Sequence, residues 1–156
     1  MAYKVFISHS TRDQGLVMYL ARLLQKFGVD ASVAEWYLTP GEPLDKKVLG
    51  QIRGSDCIVV LLTRNGMRST WVHQEIGYSL EQSKPIIPIV EKGVESKDLG
   101  ALQGKEYVEY DPHRYDEAIN KLVSYVESLK LKKQKQTLLV LGALLAFLLL
   151  MSGGSR

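Results

Sequence analysis

The chain has 156 residues, room for one domain with a sizeable core plus an appendage, and its 46% hydrophobic and 24% charged content excludes a disordered chain. A single cysteine, Cys57, excludes an intrachain disulfide and a multi-cysteine zinc site, and it points to a reducing compartment. The net charge of +3 sits in the tail: Lys132, Lys133, Lys135 and Arg156 follow Lys130 without any acid, and the total less these four leaves −1 for residues 1–130, which argues against a nucleic-acid binder.

Tyr3–Ser8 is a short β-rich run that ends in small polar residues. Asp13–Phe27 carries apolar residues at 16, 17, 20, 23, 24 and 27, a helical period, and Gly28 supplies the stop. Val29–Ala34 alternates apolar and polar residues as a strand does. Glu35–Pro43 holds Pro40, Gly41 and Pro43 and reads as a loop. Leu44, Val48, Leu49 and Ile52 share one face of a helix over Leu44–Arg53, whose Asp45, Lys46 and Lys47 form a solvated start. Cys57–Leu62 is an unbroken apolar run, expected of a strand covered on both faces, with Cys57 as a buried small hydrophobe. Arg64–Arg68 reads as a loop, and Ser69 or Thr70 caps a helix that runs to Ser83. Pro85–Val90 is a second buried strand. Glu91–Gln103 is polar, Glu106–Tyr110 a last strand and Tyr115–Leu129 a last helix.

Strands and helices alternate throughout, which predicts an α/β fold: a flavodoxin-like five-stranded parallel sheet in the order 2-1-3-4-5 with helices on both faces. That order has one switch point, between strands 1 and 3, and ligands of such sheets bind beyond the carboxyl ends of the strands there. The loops Ser8–Asp13 and Thr63–Ser69 border it.

The tail is of another kind. The first apolar run of the chain, Val5–Ile7, is too short for a signal-peptide core, whereas Thr137–Met151 is uncharged and apolar all round. Fifteen residues at ~1.5 Å each reach about 22 Å, short of a ~30 Å hydrocarbon core unless Ser152–Ser155 join or the bilayer thins. Lysines precede the run, and positive charge stays cytoplasmic. The expected organisation is a folded domain at 1–129, a basic linker at 130–136, a transmembrane helix at 137–152 and a short tail at 153–156, with the domain on the cytoplasmic side of a single-pass anchor.

On the helix after strand 3, Val72, Ile76 and Leu80 recur at every fourth position and are expected to face the sheet, with Trp71, Glu75 and Tyr78 on the neighbouring stripe. A carboxylate between two aromatics, one turn from the crevice, suits a cationic ligand group, although a helix glutamate is more often solvated. The first loop offers Ser8, His9, Ser10 and Thr11, which suit phosphate or ribose and equally suit an ordinary helix cap. No glycine-rich dinucleotide fingerprint or P-loop occurs, and His9, His73 and His113 make no metal set, with His73 a surface residue. A phosphoacceptor domain needs an aspartate ending strand 3, where Thr63 and Arg64 stand.

Four blocks carry a resemblance. Val5-Phe6-Ile7-Ser8-His9-Ser10 resembles the first box of the TIR (Toll/interleukin-1 receptor) family, and Leu38-Thr39-Pro40-Gly41-Glu42-Pro43-Leu44 resembles its BB loop. The stretch from Ser55 to Thr63, followed by Ser69-x-Trp71-x-x-x-Glu75, resembles its central strand and WxxxE segment. Lys84–Ile89 resembles its next strand. The blocks keep the family's order over residues 3–129, closest to the prokaryotic NAD+-cleaving group, which includes antiphage-defence proteins. His9, Ala34 and Pro43 depart from common family residues. The resemblance implies that Glu75 matches a catalytic glutamate and that Ser10, Thr11 and Thr39 match dinucleotide contacts. It also implies that Pro40 and Gly41 lie in a loop through which TIR domains assemble into homo-oligomers. NAD+ is then the substrate, with no cofactor and no metal, and His9, Trp36 and Trp71 are further candidates for its binding, the two indoles by stacking. The alternative is a non-enzymatic adaptor that recruits other TIR proteins through the BB loop.

Overall fold

The computed structural model describes residues 2–33 and 44–154. Its strands are β1 (Tyr3–Ser8), β2 (Val29–Val33), β3 (Cys57–Leu62), β4 (Ile86–Glu91) and β5 (Val108–Tyr110). Its helices are α1 (Gln14–Lys26), α2 (Leu44–Gly54), α3 (Arg64–Met67), α4 (Thr70–Glu81) and α5 (Tyr115–Gly153), with 3-10 turns at Thr11–Asp13 and Ser96–Leu102. The sheet is five-stranded and parallel in the order β2-β1-β3-β4-β5, as the alternating pattern predicts.

The chain forms two compact units, residues 1–123 and 124–156. In the first, every residue of β3 is buried, the consequence of helices on both faces of a parallel sheet. Phe6, Ile58, Val60 and Leu62 pack with Val48 and Ile52 of α2 and Val72 and Ile76 of α4. The alternate strand residues Val5, Ile7, Val59 and Leu61 are buried on the other face. Helix α1 stops where Gly28 takes φ +71° and its N–H bonds to the Gln25 carbonyl at 3.0 Å, so the expected stop signal works through backbone freedom.

Three local expectations change. Arg64–Arg68 is not a loop but holds the single turn α3, because the Thr63 hydroxyl accepts the N–H of Gly66 at 3.0 Å. The polar stretch after β4 contains a 3-10 turn whose Leu99 and Leu102 are buried in the α2/α4 core. The helix expected to end at Leu129 runs on to Gly153. Composition changes at Lys130, but lysine, glutamine and leucine are all good helix formers and no proline or glycine occurs there before Gly142. In the second unit, residues 138–151 are all exposed, and the helix is long and apolar enough to cross a membrane, with a mean hydropathy of 2.1 over its most apolar window. That window is 0% buried.

Candidate active site

Ser8 ends β1 opposite Val60, so β3 continues past it to Leu62 and Thr63. The loops that follow these two neighbouring strands meet at the switch point of the sheet. The carboxylate of Asp13 joins the two loops: it accepts the Thr63 hydroxyl at 2.6 Å and the Asn65 side-chain amide at 3.1 Å. Thr63 is buried, and with one donor and one acceptor role filled its hydroxyl is satisfied. Gly66 is needed because a Cβ there would collide with the backbone carbonyl oxygen of Leu61, so α3 lies directly against the end of β3.

Glu75 lies in the second turn of α4 and is 7% exposed. Its Oε2 accepts the hydroxyl of Ser8, which is itself fully buried at the end of β1. The sequence pattern places Glu75 on a stripe beside the core and Leu80 inside it; the structure reverses both, for Leu80 is exposed. The reason is rotation. Residues four apart advance by about 400°, so position 80 is turned roughly 80° from position 72, and the buried face passes through Val72, Glu75, Ile76 and Ser79 instead. Ser79 donates its hydroxyl to the Glu75 carbonyl at 2.7 Å and so brings no unmet polar group into the core.

One helical turn before Glu75 and two residues after Ser8, a cleft of about 400 Å³ opens between the loops. Ser10, Arg12, Asn65, Arg68, Ser69, Thr70 and Trp71 line it. Ser69 caps α4 by accepting the Val72 N–H at 3.4 Å, so the cleft meets a helix N-terminus, where backbone N–H groups favour anions. Trp71 is 53% exposed and offers a ring face for stacking. Arg12 and Arg68, one from each loop, add two guanidinium groups of the kind that grip phosphates. Neither arginine stands out in the sequence, although both fall in the two loops that the switch-point rule marks.

The fold therefore puts Ser10 and Trp71 on the cleft wall, whereas Glu75, buried with Ser8 as its partner, does not itself line the cleft. His9 is buried between the two serines, with Nδ1 3.3 Å from the Ile7 carbonyl oxygen. Thr11 is exposed and does not line the cleft. His73 is on the surface, as its position on the helix predicts, with Nε2 2.8 Å from the Met67 carbonyl oxygen. Trp36, Thr39, Pro40 and Gly41 lie outside the described residues. Among the described residues no cluster of histidine, cysteine and acid can hold a metal ion.

Comparison with known proteins agrees with this architecture. The chain is 27% identical over 133 residues to the 2′ cyclic ADP-D-ribose synthase AbTIR of Acinetobacter baumannii, an alignment covering 81% of this chain and 46% of that protein. The chain thus spans about half the length of that relative. The TIR domain of the Toll-related receptor TRR-2 of Hydra magnipapillata superposes with a TM-score of 0.62 at 21% identity, over 85% of this chain and 98% of that one. The CMP N-glycosidase BcmB of Clostridium botulinum does so with a TM-score of 0.57 at 20% identity, over 76% and 97%. At such identities these two structures show a shared fold. Residues 5–123 match the TIR domain family itself, from the first strand to the buried turns of α5, and the chain belongs to that family.

Proposed function

We propose that this chain cleaves the nicotinamide–ribose bond of NAD+, with Glu75 as the catalytic carboxylate. The observation that carries the reading is a nearly buried glutamate held by Ser8, with Ser10 two residues on from that serine and Trp71 one helical turn before Glu75 both lining a cleft that holds two arginines, three small hydroxyl side chains and an exposed indole. In this reading the arginines and the α4 N-terminus take the diphosphate, and Trp71 stacks on a base. The AbTIR relative, named a cyclic ADP-ribose synthase, supports the choice of substrate.

The chemistry needs one carboxylate. Nicotinamide is a cationic leaving group in NAD+ and departs neutral with the bonding electron pair, so it needs no proton. Positive charge then develops on the ribose, as in other oxocarbenium-like transition states, and Glu75 stabilises it in a site partly closed to water. Attack by water at the anomeric carbon gives ADP-ribose and releases one proton; attack by a group of the same molecule gives a cyclic ADP-ribose, again with loss of one proton.

The test is nicotinamide release from NAD+ by the full chain on lipid vesicles, with ADP-ribose and cyclic products resolved on the same chromatogram. Glu75→Gln keeps the shape and an acceptor for Ser8 while deleting the charge, and a fall of about 10²–10³ in rate is expected. Wild-type turnover by the glutamine variant overturns the role of Glu75. No turnover by the wild type, even at high surface density, hands the function to the adaptor alternative. We further propose that α5 anchors the chain in a membrane, the folded domain lying on the side of the lysines.

A further inference from the structure

The second unit carries an arrangement that the proposed catalysis does not use. Lys130, Lys132, Lys133 and Lys135 fall within six residues of one uninterrupted helix, directly before the exposed apolar segment. No acid occurs in the sequence after Glu127. At about 100° per residue they stand at roughly 0°, 200°, 300° and 140° around the axis, on every side of the helix.

That distribution separates two ways of meeting a bilayer. A helix lying in the interface gathers its lysines on one polar face opposite an apolar one. A helix that enters the bilayer end-on meets headgroups all round and needs charge all round. Here both the lysines and the apolar residues after them encircle the axis. The axial scale agrees: Lys130 to Lys135 spans about 7.5 Å at ~1.5 Å per residue, close to the roughly 5–7 Å of one headgroup layer. The polar groups at the segment's ends turn back onto their own helix, Thr137 donating to the Lys133 carbonyl and Ser152 to the Leu149 carbonyl, each at 3.0 Å. The helix thus brings no unmet hydroxyl to the hydrocarbon boundary.

We propose that these four lysines form a collar that binds the phosphate headgroups of anionic phospholipids in the leaflet on the domain's side. The proposal rests on the anchor reading given above and adds the lipid class. The collar carries four positive charges and no acid, so its match is a ring of anionic headgroups, and zwitterionic phosphatidylcholine offers no net charge to it. Inserted in a bilayer, lysine stems lie along apolar surface while their ammonium groups reach outward, which would also lengthen a span that is otherwise short.

The test places the full chain in vesicles of phosphatidylcholine with phosphatidylglycerol and measures the association of spin-labelled forms of each lipid. The wild type is expected to prefer phosphatidylglycerol about fivefold or more at 0.1 M salt. The preference should fall within about twofold at 1 M salt, where the screening length is ~3 Å. It should disappear in K130Q/K132Q/K133Q/K135Q and persist in the matching quadruple arginine variant. Equal preference in the wild type and the glutamine variant overturns the collar, as does a wild type without preference. Alkaline carbonate extraction of the same vesicles reads the anchor separately: a wild-type chain stripped from them refutes the anchor and the collar together, whereas a retained chain without lipid preference refutes the collar alone. Binding of a short DNA duplex to the detergent-solubilised chain more tightly than about 1 µM at physiological salt also overturns it, since non-specific nucleic-acid binders reach only ~10⁻⁴–10⁻⁶ M there.

Discussion

Glu75 performs a structural task as well as the proposed chemical one, and its burial separates the two. Glu75→Ala leaves the buried Ser8 hydroxyl without that acceptor, so a loss of about 1–3 kcal/mol in stability is expected, more than for a surface glutamate. Glu75→Gln preserves an acceptor oxygen and is the variant whose kinetics can be read cleanly. Cys57 shows the opposite case, a group whose chemistry is suppressed. Burial, with a smaller push from the Asp56 carboxylate, raises its thiol to about 12 from an ordinary 9.0. Because the folded-state value is raised, the stability this contributes is fully present below pH 9.0 and is lost as pH rises towards 12. The native protein should therefore react with iodoacetamide at pH 8 at least ~10²-fold more slowly than the denatured chain, since the thiolate is the nucleophile. Equal rates would mean that β3 is open to solvent.

At the scale of elements, the crevice depends on how closely α3 and α4 approach the end of β3. Two glycines test this from opposite directions. Gly66→Ala forces a Cβ onto the Leu61 carbonyl, a backbone atom that cannot step aside, and overpacking of this kind costs about 1–3 kcal/mol. Gly77 lies in α4 with nothing near a new Cβ, and Gly77→Ala should stabilise by about 0.4–1 kcal/mol through the unfolded chain. Thermal denaturation should thus move the two variants to opposite sides of the wild type; equal shifts would contradict the contact between α3 and β3. The sequence places Gly77 in a helix but reads Gly66 as part of a loop, and it shows for neither whether the site is crowded, because crowding at Gly66 arises from β3, which pattern reading treats as a separate element.

For the whole molecule, anchoring and assembly are linked through concentration. Confinement to a surface raises the effective concentration of neighbouring chains without any new contact. If TIR domains must meet to act, the rate of NAD+ cleavage per chain should rise as vesicle surface density is increased about tenfold. A flat rate per chain across that range would show that one domain is competent alone. The decisive measurement is turnover against density at a fixed total amount of protein.

Alternation of strands and helices, two apolar central strands and one switch point are properties of order along the chain, and the sequence alone determines the sheet, its strand order and the pair of loops at the crevice. The uncharged tail and its lysines are equally local, so length and composition suffice to recognise a membrane-sized helix. Tertiary structure decided what depends on rotation and reach. It set which face of α4 turns inward, and with it the burial of Glu75 against Ser8, 67 residues away in the chain. It also set the bridge from Asp13 to Thr63 and Asn65, and the meeting of Arg12 and Arg68 across one cleft. Periodicity assigns a residue to a stripe only to within a fraction of a turn, and a hydrogen bond between distant residues leaves no periodic trace, so the partner that holds the carboxylate becomes visible only when β1 and α4 are packed together.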